Sequence, residues 1–293
     1  MNAMKFAVPL FVAFAFGPTQ TSATPYLGTA QQFSVLGATP SVTNTGTTTL
    51  WGDVGIFPAL SITGQETLSV NGVNALLNPA DVHTGDAVAE QAQIDALDAY
   101  NTLRLLPASD LTGLDLGGMT LAPGAYHFDT TAGLTGVLTL DLTSDPAGDF
   151  IFQVGTSLTT GSGSSVNVIG GNTSSALSGI YWLMGVSLAA DGAATLGSSS
   201  VFAGNIIARD TIAFGSTAKI LCGRAISLNA AVTMIGNTVS NDCGAFDAGS
   251  GITDYGSAGF SGGSGDQTVP EPATLALLGL GLVGATLSRR RRS

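Results

Sequence analysis

Short apolar segments alternate with small or polar residues over most of the chain between Leu134 and Val239. Such alternation is typical of β-strands with one buried face, and the Gly, Ser, Thr and Asn residues between the segments predict tight turns. Repeated short strands fit a sandwich, a barrel or a β-solenoid. We expect the solenoid, because most outward positions are small and stacked rungs build flat faces from such residues. The segments include Leu138–Leu142, Phe150–Val154, Val166–Val168, Ile180–Met184, Val201–Ala203, Ile212–Phe214, Ile220–Cys222 and Val232–Met234.

One segment has helical rather than alternating periodicity. Its small apolar residues share one helical face, and they are Ala89, Ala92, Ala96, Ala99 and Leu103. We expect a helix from about Asp86 to Leu105, after a first turn that Asn78 caps and Pro79 begins and that Gly85 interrupts. Pro107 ends it. A stripe of alanines lets a helix lie close to a flat surface such as the side of a solenoid.

The N-terminal residues 1–23 have the order of charges and apolar residues that a secretory signal peptide has. Lys5 precedes the apolar run Phe6–Phe16, and Thr21–Ala23 is a small-residue cleavage site. The alternative, a retained anchor helix, is disfavoured because the run is short for a membrane span. The mature domain is expected to cover residues 24–243.

The other end of the chain has two distinct parts. Residues 244–268 are rich in Gly, Ser and Asp, which favours a flexible linker over a single partial calcium-binding repeat. Residues 269–293 contain an apolar run, Ala273–Leu287, that is short for a permanent span. This segment resembles the PEP-CTERM sorting signal of Gram-negative bacteria, which implies recognition by an exosortase and delivery to the outer surface or matrix. The residues that carry the resemblance are Pro270, Glu271, Pro272, Arg289, Arg290, Arg291 and Arg292.

The strongly negative net charge of the chain argues against nucleic acid as a partner. The full chain has nine basic and 20 acidic residues. Trimming both ends removes Lys5, the four terminal arginines and Glu271. The remaining four basic and 19 acidic residues give a formal net charge of 4 − 19 = −15. A surface with this charge repels phosphate backbones, so we expect no nucleic-acid binding. Contact with a membrane is expected only through the C-terminal sorting segment before processing.

The sequence carries no recognisable catalytic or metal-binding motif. His83 and His127 are isolated from obvious partners, and Asp141, Asp145 and Asp149 surround turn residues. We therefore expect no enzyme, no cofactor and no metal site. A β-helical polysaccharide lyase is the strongest enzymatic alternative. It is disfavoured because the repeats hold few basic residues, namely Arg209, Lys219 and Arg224, and Arg224 is expected to be structural.

Cys222 and Cys243 are the two cysteines of the chain. An even pair in an exported protein favours one disulfide. The alternative is two unpaired thiols, because spacing alone does not establish the geometry that a disulfide needs.

Hydroxyl side chains mark many outward strand positions. Regularly spaced hydroxyl and methyl groups on a rigid surface can order water in a lattice-like array, whereas the plainer interpretation is that Ser and Thr only solubilise the solenoid. The candidate residues are Thr45, Thr47, Thr49, Thr139, Thr195, Ser198, Ser200, Thr211, Thr217 and Thr233, with Thr238 as a further outward threonine.

Several blocks, in order, resemble the ice-binding protein family that is also called DUF3494. They are Val42–Gly55, the alanine-rich helix ending at Asn101, Leu116–Tyr126, Leu134–Leu140, Asp149–Val154, Trp182, Phe202–Ala208, and Gly223–Ala225 with Ala231–Thr233. The resemblance covers about residues 27–240. It implies a mainly β fold, namely a discontinuous right-handed β-solenoid of triangular section with one long α-helix packed alongside. It also implies that the first strands and the last rungs are neighbours.

The resemblance implies binding to an ice crystal surface through one flat Thr/Ser-bearing face. Thr45–Thr48 fits a loose Thr-Ala/Gly-x-Thr/Asn pattern of such faces, whereas Thr217–Ile220 departs from it. The main alternative is a matrix or adhesion protein that binds exopolysaccharide without ice activity. A flat face with few charges would favour ice, and a groove with carboxylates and aromatics such as Trp51 would favour sugar. Trp182 is expected in the core.

Overall fold

The computed structural model describes residues 26–170, 179–187 and 192–241. The 3-10 helices are η1 (Gly28–Gln32), η2 (Gln65–Thr67) and η3 (Ala75–Leu77), and the α-helix is α1 (Ala87–Leu103). The strands are β1 (Phe33–Gly37), β2 (Ser41–Thr45), β3 (Thr48–Trp51), β4 (Asp53–Ile56), β5 (Ser61–Thr63), β6 (Leu68–Val70), β7 (Val73–Asn74), β8 (Val82–Thr84), β9 (Ser109–Asp110), β10 (Thr120–Leu121), β11 (Gly124–Phe128), β12 (Ala132–Leu134), β13 (Val137–Asp141), β14 (Phe150–Val154), β15 (Leu158–Thr160), β16 (Ser165–Ile169), β17 (Ile180–Met184), β18 (Ala194–Leu196), β19 (Val201–Ala208), β20 (Ile212–Phe214), β21 (Lys219–Ser227), β22 (Val232–Ile235) and β23 (Thr238–Ser240).

The strands wind into a mainly β solenoid with three faces, as the family resemblance implies, and neighbouring strands within each face run parallel. The first face is a separate seven-stranded sheet in the order β12-β15-β18-β20-β22-β2-β5. The second runs through β10, β13, β16, the first halves of β19 and β21, then β23, β3 and β6. The third runs through β9, β11, β14, β17, the second halves of β19 and β21, then β1, β4 and β8. Because β19 and β21 bend from one face to the next, the second and third faces form one continuous sheet.

Alternating side chains fill the interior of the solenoid. Leu138, Leu140 and Leu142 are each at most 1% exposed, as their alternation predicts. Phe152 stacks on Trp182 with ring centroids 3.8 Å apart, and Trp182 is fully buried. The prediction that Trp182 belongs to the core is therefore confirmed. Its indole N–H donates to the Ala203 carbonyl at 3.1 Å, which satisfies the polar end of the ring.

Helix α1 covers the third face through its alanine stripe. Ala89, Ala92, Ala96, Ala99 and Leu103 are at most 2% exposed. They pack against a second apolar layer that includes Leu183, Ile207 and Ile226. Small side chains let the helix approach the sheet closely, so this interface follows directly from the sequence.

Polar side chains fix α1 against backbone groups of the solenoid. Gln93 donates to the carbonyls of Gly37 and Ser227 at 2.9 and 3.0 Å. Gln153 donates to the last carbonyls of the helix region, Leu103 at 3.0 Å and Leu106 at 2.9 Å. These bonds satisfy buried acceptors at both the middle and the end of the helix.

The predicted first turn, capped by Asn78 and begun by Pro79, is wrong, whereas the main helix starts at Asp86 as predicted. Asp86 is the N-cap, and its carboxylate accepts from the Ala89 N–H at 2.9 Å. Asn78 instead ends η3, and residues 82–84 form β8 on the third face. Strand pairing with β4 outweighs the capping signal of Asn78 and Pro79, and the left-handed Gly85 (φ 63°) turns the chain from strand into helix.

The first strands lie beside the last rungs, as the family resemblance implies. Strand β2 lies between β22 and β5, β3 pairs with β23, and β1 pairs with β21. Arg224 closes this junction from inside. Its fully buried guanidinium donates to the Gln31 carbonyl at 3.0 and 2.7 Å and to Asn205 Oδ1 at 2.7 Å.

Several predicted segments lie outside the described residues. They are the signal peptide, the linker, the sorting segment and Cys243, so the disulfide with the buried Cys222 stays a prediction. Within the described ranges, no helix has both the length and the apolar composition to span a membrane.

Candidate functional site

The first face carries an outward row of threonines that crosses all seven strands. We call this surface the threonine face. Each member of the row is paired in register with the next, so the row runs straight across the sheet. The members in order are Gly133, Thr159, Thr195, Ala213, Thr233, Thr43 and Thr63. Their neighbours in each strand point inward and are buried, because side chains of a strand alternate between its two faces.

A second outward row lies two residues earlier in each strand. Its members are Thr131, Ser157, Ala193, Thr211, Ala231, Ser41 and Ser61. Where one row lacks a hydroxyl group, the other row supplies it, so every strand has at least one hydroxyl in its pair of outward positions. Where the first row has Ala213, the second has Thr211. Where the second row has Ala193 or Ala231, the first has Thr195 or Thr233.

The threonine face is regular and uncharged. Neighbouring strands lie about 4.8 Å apart, and residues two positions apart along a strand lie roughly 6.7 Å apart. The two rows hold only Thr, Ser, Ala and Gly. The Ser41 and Thr43 hydroxyls bond each other at 3.0 Å, which limits their rotation. The result is a rigid array of methyl and hydroxyl groups that contains no ionisable side chain.

The structure separates the predicted candidates into four places. Thr195, Thr211 and Thr233 lie on the threonine face, with Thr45 at the end of the neighbouring strand β2. Thr49, Thr139 and Thr238 lie on the second face. Thr47, Ser198 and Thr217 are exposed at the corner between these faces. Ser200 is 1% exposed and therefore does not reach any external surface.

Two residues at that corner have a left-handed backbone. Ser199 has φ 59° and Thr217 has φ 57°, while Gly163 in a corresponding turn has φ 70°. The Ser199 and Thr217 hydroxyls bond each other at 2.9 Å across successive rungs. A β-branched residue in this region is an outlier, so Thr217 adds local strain to the corner.

Sequence reasoning missed seven of the ten hydroxyl side chains in the two rows of the threonine face. They are Thr43, Thr63, Thr131, Thr159, Ser41, Ser61 and Ser157. A repeated sequence at the corners, an apolar residue followed by Gly-Ser, would have identified them. It occurs at Leu196-Gly197-Ser198 and at Phe214-Gly215-Ser216, and the residue before each Leu or Phe faces outward. Aligning rungs on these corners places Thr195 and Ala213 in one row.

The second face has a different chemical character. Its outward positions include Val137, Val201 and the exposed Lys219 together with Thr139 and Asn167. It mixes apolar, charged and polar groups, and threonine repeats between neighbouring rungs at Thr120–Thr139 and Thr238–Thr49 but not along the whole face. The third face is covered by α1. Only the threonine face therefore combines flatness, repetition and the absence of charge.

One ionisable group with a shifted pKa, Asp115, borders the threonine face, because it forms a bridge with Gly133 at the end of the first row. The histidines and their carboxylate partners lie away from that face. His83 Nδ1 lies 2.8 Å from Asp86 and its Nε2 lies 3.6 Å from Asp53, so the expectation that His83 lacks a partner was wrong. The same holds for His127, which bonds Asp129 at 3.0 Å. Burial, with the nearby Asp81 carboxylate, raises the pKa of Asp53 to about 6. These contacts hold loops and the start of α1.

Asp149 is a second carboxyl group whose pKa is strongly raised. Burial raises the pKa of Asp149 to about 6, against the effect of the Gly179 N–H, which donates to it at 2.7 Å. Asp149 belongs to a loop contact on the helix-covered side of the solenoid. In the part of the chain that the structure describes, no three acidic, His or Cys side chains converge on a metal site.

Comparison with known proteins assigns the family. The family model described as ice-binding-like matches residues 36–240, and the PEP-CTERM protein-sorting motif matches residues 268–292. The "Ice-binding protein" of Nostoc sp. (strain HG1) is 40% identical over 293 residues, covering 98% of this chain and 96% of that protein.

Two solved structures agree with this assignment. An ice-binding protein from an Antarctic biological consortium has 34% identity and a TM-score of 0.63, covering 80% of this chain and 96% of its own. The ice-binding protein of the Antarctic ascomycete Antarctomyces psychrotrophicus has 34% identity and a TM-score of 0.62, covering 73% and 96%. Both proteins are matched over nearly their whole length. The chain belongs to the ice-binding-like protein family and carries a C-terminal PEP-CTERM sorting motif.

Proposed function

We propose that this protein binds ice through the threonine face. The observation that carries the proposal is the straight row from Gly133 to Thr63, five of whose seven members are threonine. Each threonine offers a methyl group, which favours contact with an ordered water layer over bulk water, and a hydroxyl, which can take a place in that layer.

Because the threonine face is rigid, many individually weak contacts can together give useful affinity for ice. Backbone pairing on both sides of five of the seven strands fixes the spacing, and the Ser41–Thr43 bond limits side-chain rotation. Little conformational entropy is lost when such a surface binds, so each small contact contributes to affinity. A lattice with no charge also avoids the strong local hydration that would disrupt an ordered water layer.

The sorting motif supports an exported location for this activity. We propose that an exosortase-type enzyme recognises Pro270–Pro272 and the arginine cluster, and that the protein reaches the outer surface or matrix of a Gram-negative cell. Binding there would restrict ice growth next to the cell or attach the cell to ice. An ice-binding protein works by adsorption, so the proposal includes no enzymatic activity and no cofactor.

Binding to exopolysaccharide is the alternative that this surface favours less. A sugar-binding face needs stacking aromatics or directional carboxylates and amides. Both outward rows of the threonine face lack them. Any affinity for matrix polysaccharide would have to arise from the second face.

The test is thermal hysteresis and ice recrystallisation with residues 24–268. We expect small crystals and faceted growth with the native sequence. Thr233→Tyr should abolish both effects, because the ring holds the flat face away from a flat ice surface. Thr49→Tyr on the second face is the matched control and should leave both effects unchanged. Activity equal to buffer in the native sequence would refute the proposal.

A further inference from the structure

The chain passes from the threonine face to the second face through a corner that has the same length in most rungs. In five of the seven described rungs, six positions separate the residue of the first row from the paired outward residue that begins the second face. Ala213 to Lys219 and Thr43 to Thr49 are two examples. A constant corner length lets both faces keep their register from rung to rung.

The rung that lies between these two examples is one residue shorter. Five positions separate Thr233 from Thr238, although each of them is paired in register with both of its neighbours. The rung from Gly133 to Val137, at the β12 end of the sheet, is also short. One residue of a strand spans about 3.3 Å. A short corner between two longer ones would therefore displace Thr233 or Thr238 from its row unless another group fills the gap.

The side chain of Asn237 fills this gap. Asn237 is 2% exposed. Its Nδ2 donates to the carbonyls of Gly215 at 2.8 Å and Ala218 at 2.9 Å, which both belong to the corner of the preceding rung. Its Oδ1 accepts from the Ile235 N–H in its own corner. A carboxamide has the same kinds of donor and acceptor as a peptide unit, so it can take the place of the missing one.

The main chain of Asn237 binds the rung on the other side. Its N–H donates to Thr48 Oγ1 at 3.0 Å, and its carbonyl accepts from the Thr49 N–H at 2.9 Å. Thr48 is fully buried and begins β3, one of the early strands that lie beside the last rungs. One residue thus joins three successive rungs. Their strands β20, β22 and β2 carry consecutive members of the first row, namely Ala213, Thr233 and Thr43.

We propose that Asn237 is a positioning residue of the ice-binding surface, because its carboxamide holds β22 in register with the strands on both sides. This inference rests on the function proposed for the threonine face. Asn237 is buried at the corner and acts through Thr233, whose methyl and hydroxyl groups would contact ice. A binding surface needs supporting side chains that fix the residues in contact with the ligand. Without the carboxamide, the short corner would move Thr233 out of the plane that it shares with Thr43.

Thermal hysteresis and chemical denaturation of Asn237→Ala test this inference in the protein purified after export. We expect thermal hysteresis to fall about fivefold at equal concentration, since displaced threonines lose their weak contacts with ice. Lower stability alone would not cause this fall, because a variant that stays folded near the freezing point keeps its surface. Circular dichroism at that temperature verifies the fold.

Gln153→Ala is the matched control. Gln153 is 4% exposed and its Nε2 also donates to two carbonyls, those of Leu103 and Leu106, but it lies on the third face. Its replacement should lower the free energy of unfolding to a similar degree and leave thermal hysteresis unchanged. If Asn237→Ala behaves in the same way as Gln153→Ala, Asn237 is only structural and the inference fails.

A longer corner should make Asn237 dispensable. In this variant, residues 235–237 are replaced by Gly-Ser-Gly-Ser, the sequence of the corner at residues 161–164. The added peptide unit restores the spacing of six positions, so thermal hysteresis should return to the native value. Hysteresis that stays at the level of Asn237→Ala would contradict the account of a missing residue.

A crystal structure of Asn237→Ala separates this inference from ice binding. We expect Thr233 to be displaced relative to Ala213 and Thr43, whatever effect the native protein has on ice. If the native protein shows no thermal hysteresis but the displacement is present, the proposed function fails and the role of Asn237 in the register stands. An unchanged position of Thr233 would overturn the inference.

Discussion

Thr43 and Thr233 occupy paired positions on neighbouring strands of the threonine face, although one comes from the start and the other from the end of the described chain. Strand β2 enters between β22 and β5 and extends the row by two threonines, Thr43 and Thr63. The regular surface is therefore complete only after the first and last segments have come together. Contacts that close this junction should control both stability and ice binding.

Filling the gap in the row should strengthen ice binding. Ala213 lies between Thr195 and Thr233, and Ala213→Thr would add one methyl and one hydroxyl at a matched position. One such contact is worth about 0.5–1 kcal/mol, or about a two- to fivefold gain in affinity. Thermal hysteresis at equal concentration measures the gain. Ser165→Thr on the second face is the control, and an equal gain there would contradict the assignment of the face.

Relieving the strained corner should stabilise the fold without changing ice binding. Thr217 has a left-handed backbone, so Thr217→Gly should raise the free energy of unfolding by about 1 kcal/mol after loss of the Ser199 hydroxyl bond. Chemical denaturation measures the effect. Ser216→Gly is the control, because Ser216 is not left-handed and glycine there should lower stability. A large loss of ice activity in Thr217→Gly would show that the corner belongs to the ice-binding surface.

Removing the buried guanidinium at the junction should destabilise the protein strongly. Arg224→Met removes the bond to Asn205 Oδ1 and both guanidinium bonds to the Gln31 carbonyl, which keeps its bond from Asn241 Nδ2 at 3.1 Å. Hydrogen bonds to a charged group contribute about 1.5–3 kcal/mol each, so we expect a loss of roughly 2–5 kcal/mol in the free energy of unfolding. Arg104→Met is the comparison, since Arg104 is partly exposed and bonds only Asn101 at 3.2 Å. Similar losses in both variants would contradict a special role for Arg224.

Asp149 should make the fold less stable as the pH rises. Its pKa is raised from 3.8 to about 6 in the folded protein, so the folded state holds this proton more tightly than the unfolded state. The associated stability is complete below about pH 3.8 and is lost as the pH rises through about 6. Compared with the native sequence, Asp149→Asn should therefore have a higher free energy of unfolding at pH 7, by roughly 1–2 kcal/mol after allowance for partial exposure, and a similar one at pH 4.

Denaturation at both pH values checks this expectation, with the exposed helix variant Asp98→Asn as control. A pH dependence in Asp149→Asn equal to that of the native sequence would exclude Asp149 as its source. Because neither outward row of the threonine face holds an ionisable group, ice activity itself should stay constant over this range.

The sequence predicted the strands, the helix stripe and the core well, because each depends on local periodicity and burial. It did not predict which hydroxyls share a face. The run from Thr43 to Thr49 is rich in threonine throughout. Its threonines nevertheless end in different places: Thr43 lies on the threonine face, Thr48 is buried and Thr49 lies on the second face. The left-handed Gly46 turns the chain between them, so the two-residue period restarts at the corner.

The most direct test of the central claim is a tyrosine scan read out by incorporation into slowly grown ice. The fraction of each labelled variant retained in the ice phase would be measured after circular dichroism has verified its fold. We predict that Thr43→Tyr, Thr159→Tyr, Thr195→Tyr and Thr233→Tyr are excluded from ice, whereas Thr49→Tyr and Thr139→Tyr are incorporated like the native sequence. Exclusion of the second-face variants, with retention of the threonine-face variants, would contradict the account.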